Sequence, residues 1–369
     1  MKDNNLQQGD TVLSLPSAEL RQAMDTSNYP FVDWIRMIAM VGIIWAHTPN
    51  FDGANNYNSL DNIPLYFWFM GFFKFGVICF FLISGFLLAR KIHEAPAAEY
   101  LKKRVLSTLY PYLFAFALIV LLFIFKTQAL GQPSSYTVPQ YVIFMFLSSA
   151  LWFLPNYWIS LLVIFSFKRF LNSIWLGILF LTVTLIYSYF YVYTTAAQSH
   201  VHALFAFVFY LWLGYFIGTN SLHIYFSSIN PWLLIGLSFL CYGLSSVESV
   251  VLYQQGAKEP MNILRISNQL YSLLAFATMV RLFKHPFKSK WFAPRKETFG
   301  IYLYHMFALA VLTFTLKFFA GKGIFTYSNH TITFIGWFVV KFLFVYVFTL
   351  LLVKLMLRFN LGFLNQKRN

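Results

Sequence analysis

This chain of 369 residues is 59% hydrophobic, 21% aromatic and only 11% charged, which excludes a soluble globule: its apolar runs of about 20 residues need lipid around them. The formal net charge of +15 does not indicate nucleic acid, because Lys and Arg cluster in short segments between apolar runs and form no stripe on a polar surface. Cys79 and Cys241 both fall inside apolar runs and read as small buried hydrophobes, with no disulfide framework and no metal-ligand spacing.

Residues 1–30 are polar, with too little apolar content for the core of a cleaved signal, and read as a cytoplasmic tail. Ten spans follow, at about 31–48, 65–90, 107–126, 144–167, 171–193, 201–218, 231–251, 263–283, 299–319 and 332–357. The runs are continuously apolar, so they are helices; a barrel would show alternating strands of about ten residues. The expected fold is an all-α polytopic membrane protein, a bundle of about ten transmembrane helices over residues 31–358, closed by a short basic cytoplasmic tail at 359–369. With the N-terminus inside, 19 of the 27 Lys and Arg lie on the cytoplasmic side against four outside, so both termini are expected in the cytoplasm. One inner loop, Thr219 to Asn230, carries neither Lys nor Arg.

The first span, FVDWIRMIAMVGIIWAH, carries Arg36 and His47 among apolar residues. Eleven steps of about 100° bring both side chains to one face, about 16 Å apart along the axis. Ionisable groups are costly in lipid and point to function. Asp33, three residues before Arg36, is placed to pair with it.

The second span ends FFLISGFLLARK, where Ser84 and Gly85 interrupt an aromatic run, the pattern of close helix packing. The segment that follows carries Lys102, Lys103 and Arg104. Such a cluster retains a loop on the inner side, and it equally suits the phosphates of a ligand. In the fourth span Pro155 predicts a kink and a freed carbonyl. Trp152, Tyr157 and Trp158 around it read as an interfacial belt, and Asn156 stays open between packing and function. Farther along, Glu248, Arg265, Asn268, Gln269 and His305 are polar residues within spans, which belong in the bundle interior or against water. Glu248 and Arg265, near the outer ends of neighbouring spans, are placed to pair, and His305 among tyrosines reads first as a hydrogen-bonded core residue. Ser84, Trp152, Asn156, Glu248, Tyr302 and His305 are the candidates to line a substrate path.

No Gly-rich phosphate loop, nucleophile elbow or zinc cluster is present in the sequence. His47 is the best general base, since a neutral imidazole can take a proton from a hydroxyl attacking an acyl carbonyl. Arg36 suits neutralisation of an anionic donor or of a developing oxyanion. The spacing on a straight helix gives the two residues separate tasks.

The chain resembles the integral-membrane acyltransferase family 3. The likeness rests on Arg36, ten residues and then His47; on FFLISGFLL (Phe80 to Leu88); on the basic stretch into a Tyr-Pro pair (Lys102 to Pro111); on LWFLPNYW (Leu151 to Trp158); on FVFYLWLGYFIG (Phe207 to Gly218); and on FGIYLYH (Phe299 to His305). Two positions depart: Ser107 and Thr108 stand where members commonly carry a further arginine, and Thr298 or Phe299 where a serine often opens the ninth-span motif. The resemblance implies transfer of an acyl group, commonly acetyl from acetyl-CoA, to a hydroxyl of a carbohydrate in an envelope or exported glycan. It implies roles in transfer for Arg36 and His47, and donor binding from the cytoplasm at the basic loop including Arg104. An acyl-CoA is then a co-substrate with no permanently bound cofactor, in a multi-pass protein of the inner, cytoplasmic membrane. Two other classes fit the residues: a transporter or flippase of a glycan or lipid-linked intermediate with Arg36, Lys74 and Glu248 on a polar path, and a structural membrane subunit. The sequence carries no signal of oligomeric state.

Overall fold

The computed structural model describes residues 29–51, 57–92, 96–129, 134, 136–194, 199–320 and 330–361. The expected tails therefore lie almost wholly outside the described residues, as does part of the basic segment before Lys102. The described residues form thirteen α-helices and no strand: α1 (Pro30–His47), α2 (Ile63–Gly71), α3 (Gly76–Lys91), α4 (Ala97–Ile124), α5 (Val138–Ser148), α6 (Phe153–Ser166), α7 (Ile174–Val192), α8 (Val208–Thr219), α9 (Leu222–Ser228), α10 (Pro231–Gln254), α11 (Ile266–Leu282), α12 (Pro294–Ala320) and α13 (Thr331–Arg358). Local chemistry sets their starts. Proline opens α1 and α10, the Asn62 side chain accepts from Leu65 N at the start of α2, and Thr137 with Gln140 forms a capping box on α5.

Among the described residues, seven candidate spans are long and apolar enough to cross a membrane: α1, α2 with α3, α4, α7, α10, α12 and α13; the bent pair α5 and α6 makes up to eight. The other two expected spans are shorter. α8 has 12 residues, preceded by turns at Ala203 to Phe207, and α11 has 17, with Asn268, Gln269, Ser272 and Thr278 buried along it. Where α2 gives way to α3, the freed carbonyls are taken up internally: Tyr271 donates to Phe72 O at 2.6 Å and Tyr242 to Trp68 O at 2.6 Å. Lys74 sits in that break. The expected kink at Pro155 is displaced. The chain breaks upstream in the turn Ala150–Trp152, and Pro155 lies in the first turn of α6, where a missing N–H costs nothing.

The two ends of the bundle are tied differently. At the end holding both described termini, Asp33 accepts from Arg295 through both oxygens, each at 3.0 Å, and Lys354 meets Glu297 at 2.8 Å. The Thr219 to Asn230 loop packs at this same terminal end, with the His223 ring against Tyr29 and Phe86. At the opposite, distal end, Asp61 accepts from Thr331 N at 2.8 Å and Thr331 Oγ1 at 2.7 Å and pairs with His330 at 2.9 Å, clasping α2 to α13.

The apolar interior forms two blocks. One gathers the first half of α1, from Phe31 to Ala39, with α3, α7, α8 and α11; the other gathers the second half, Met40 to Ile44, with α2, α4, α12 and α13. Within the first block, α3 and α8 approach at Gly85 and Gly214, where a Cβ on either would land on a backbone carbonyl, of Leu211 and Leu82 respectively.

Gly85→Ala should therefore destabilise the detergent-purified protein by about 1–3 kcal/mol, lowering its thermal unfolding midpoint, whereas Gly236→Ala, with nothing within 4 Å of its Cβ, should not. The hydrogen bonds from Thr331 and then His330 hold the Asp61 carboxyl well below the usual carboxylate range. Its clasp is thus fully in place above the ordinary unfolded carboxyl pKa and weakens as pH falls from there toward the lower folded value. Melting curves between pH 5 and the acid limit, about 4 and below, should fall more steeply for the wild type than for Asp61→Asn.

Candidate active site

Along α1, Val32, Arg36, Met40 and Ile43 follow at helical spacing on one face and line a cavity of about 570 Å³ that opens at the terminal end. Among the described residues, six cationic ones contribute to its wall, Arg36, Arg90, Lys91, Lys103, Arg104 and Arg295, and no carboxylate does. Asp33 stands behind Arg36 at 3.6 Å and, as the expected partner of Arg36, also holds Arg295. Arg104 is fixed from α4: its Nε donates to Tyr157 Oη at 3.2 Å and its guanidinium lies 5.6 Å from the centre of that ring. Next to it Trp158 Nε1 donates to Thr108 Oγ1 at 2.9 Å, and Thr108 donates to Arg104 O at 3.0 Å, so an indole and a hydroxyl brace the turn that carries the arginine.

Deeper in, the wall turns apolar, with Met40, Ile43, Phe80, Ile83, Phe153 and Tyr302. Tyr302 is buried and donates to Ala150 O at 3.2 Å. Ile43 is one turn, about 6 Å, short of His47. His47 ends α1 half-buried, its ring centre 5.5 Å from that of His305. α1 is unbroken from Pro30 to His47, so Arg36 and His47 keep their separation of about 16 Å.

The remaining candidates divide. Lys103, Arg104, Ser84 and Tyr302 are in the cavity wall, whereas the exposed Lys102 is not. Trp152 is buried, edge-on to the His200 ring at 5.2 Å. The Asn156 amide donates to Val201 O at 3.2 Å, tying α6 to the turn that carries His200. Glu248 accepts from Tyr193 and Ser267, far from the cavity wall. It does not form the expected ion pair with Arg265, whose guanidinium instead donates to Asn262 O at 2.9 Å, to Ser249 Oγ at 2.5 Å and to Ser245 O. Two α10 oxygens and one carbonyl of its own loop take up part of the desolvated guanidinium, whose Nη2 has no hydrogen-bond partner among the described residues. His305 lies three turns into α12, which begins at Pro294, ahead of the expected span start at 299, and is fully buried.

Three contributors escape sequence reading: Arg295, Tyr157 and the pair His200–Glu259 at 3.3 Å. Arg295 reads as one more basic loop residue, and its bond to Asp33 spans 262 residues. Burial pushes the Glu259 carboxyl up, but the hydrogen bond and charge of His200 outweigh it and hold the group down at about 2. His47 lies within electrostatic range of His305, Lys74 and His200, so the distal side of the site is rich in nitrogen bases. The cavity can hold a multiply charged anion at its mouth and an apolar group at its depth, with a histidine base just beyond.

The family model for an acyltransferase domain, of the acyltransferase 3 type, matches residues 29–354. No curated protein and no solved structure matches the chain. A match over almost the whole helical bundle, from Tyr29 at the start of α1 into α13, means that this protein belongs to acyltransferase family 3 and is a membrane acyltransferase.

Proposed function

We propose that the protein is an O-acyltransferase that takes an acyl group, acetyl foremost, from acyl-CoA and passes it to a sugar hydroxyl of an exported or cell-envelope glycan. One observation carries the reading: among the described residues, six cationic ones and no carboxylate line a cavity whose apolar end stops one helical turn from His47. A diphosphate-bearing donor matches the cationic mouth, with Arg36, Lys103, Arg104 and Arg295 pairing with its oxygens. The thioester then reaches the apolar depth, and His47 takes the proton of the acceptor hydroxyl. The charge bias of the sequence supports ten crossings of the inner membrane by a single domain over residues 31–358, with both tails and the cavity mouth cytoplasmic. The acceptor approaches from the distal side. A transporter or flippase is the competing class. It is disfavoured because the cavity wall on α1 stops at Ile43, short of the distal end.

With labelled acetyl-CoA and membrane glycan as acceptor, the detergent-purified protein should transfer label without any membrane gradient; only gradient-dependent movement of glycan would instead mark a transporter. His47→Ala should lower turnover by about 100-fold or more. Arg104→Ala and Arg295→Ala should raise KM for acetyl-CoA about tenfold, the loss of one charge-assisted hydrogen bond, with kcat changed less. Undiminished transfer by His47→Ala would remove the base from the mechanism.

A further inference from the structure

The donor's sulfur and the acceptor's hydroxyl meet the site from opposite sides, so a proton taken from the hydroxyl has to reach the departing sulfur. His305 stands where that transfer would occur. On α1 the last cavity-lining residue, Ile43, comes four residues before His47; on α12 the last, Tyr302, comes three residues before His305. The two histidines therefore stand together just past the apolar end of the cavity, ring centres 5.5 Å apart.

The tautomer of His305 follows from its surroundings. Its Nδ1 lies 2.5 Å from Tyr302 O. A carbonyl oxygen only accepts, so Nδ1 carries the hydrogen and donates it. In the neutral ring Nε2 is then a bare lone pair. That atom is buried and has no hydrogen-bond partner among the described residues. A histidine kept only to fill space would spend both nitrogens on partners, since burying an unpaired one costs desolvation with no return. The other titratable groups facing the pair are Lys74 from the break between α2 and α3, His200 from the turn before α8, and Tyr302 from the preceding turn of α12.

We propose that His305 is a proton relay between His47 and the leaving thiolate, an assignment that rests on the acyl-transfer reading above. The acceptor oxygen attacks the thioester carbonyl carbon, the C–O bond forms, and the C–S bond breaks with its electron pair going to sulfur. The hydroxyl proton passes to His47, from His47 to His305 Nε2, and from that nitrogen to the thiolate, which departs as the free thiol. His305 ends in its starting tautomer, held throughout by the Tyr302 carbonyl, and no other reactant is consumed.

The test uses full-length protein in detergent, acetyl-CoA with a labelled acetyl group, and host membrane glycan as acceptor. His305→Gln keeps an amide donor for the Tyr302 carbonyl and so the fold, but cannot carry a proton. It should bind donor with KM within about twofold of wild type while kcat falls about 100-fold. His305→Ala should lose the same turnover and regain part of it when free imidazole is added, which His305→Gln should not. Near wild-type turnover by His305→Gln would overturn the relay, as would a loss that appears mainly in KM. A folded His305→Ala protein that imidazole does not rescue would also overturn it. If the wild type itself moves no acyl group from acetyl-CoA, the acyl-transfer reading fails first; if it does and His305→Gln matches it, the relay alone fails.

Discussion

Holding several like charges together inside a membrane protein is the constraint on which the architecture depends. Six cationic groups around one cavity repel each other, and the half-buried Arg36, Arg104 and Arg295 are screened less than the exposed Arg90, Lys91 and Lys103. Asp33 answers this from behind the wall: it accepts from Arg295 with both oxygens and stands 3.6 Å from Arg36. A carboxylate inside the cavity would cancel the field an anionic donor needs, whereas one behind it steadies two guanidinium groups and leaves the wall positive. The same contact fixes α12 against α1, and so sets the approach of His305 to His47 farther along those two helices.

Polar groups elsewhere in the bundle follow the same rule by other means. Arg265 is fully buried and donates to a serine hydroxyl and a backbone carbonyl of α10 and to a carbonyl of its own loop. Gln269 donates to Ser188 Oγ and to Leu264 O, each at 2.6 Å, and accepts from Tyr210 at 2.6 Å, which joins α7, α8 and α11. These networks are what a segment as polar as α11 requires in order to lie within a membrane bundle.

How much of this was legible in the sequence depends on the range of the interaction. The shared face of Arg36 and His47 on α1 is local helical periodicity, and it stands in the structure without a break. Gly85 as a packing residue is likewise readable, because only small residues let two helices meet at that distance. The breaks were harder to place. Pro155 is a strong signal, yet a proline in the first turn of a helix marks a start as naturally as a kink, and sequence alone does not say which. The structure shortens two expected spans, α8 because turns precede it and α11 because it begins only at Ile266. Partners distant in the chain were not legible at all: Asp33 with Arg295, His200 with Glu259, and the choice by Arg265 of carbonyls over Glu248 are decided by tertiary neighbours.

The division of the interior into two blocks bears on how such a site can move. The cavity borders both: Ile83 and Tyr157 belong to one block, Met40 and Tyr302 to the other, and α1 contributes its first half to one and its second half to the other. The two blocks share α1 as a rod, with Val77, Phe80, Phe153 and Trp158 packed against both, so the displacement of one block against the other that disturbs the least packing turns about that rod. The opening between them then widens and narrows at its flanks, while points on the rod are displaced least. Arg36 and His47 both lie on it, so the cation and the base stay in register with each other through any breathing that admits or releases a ligand.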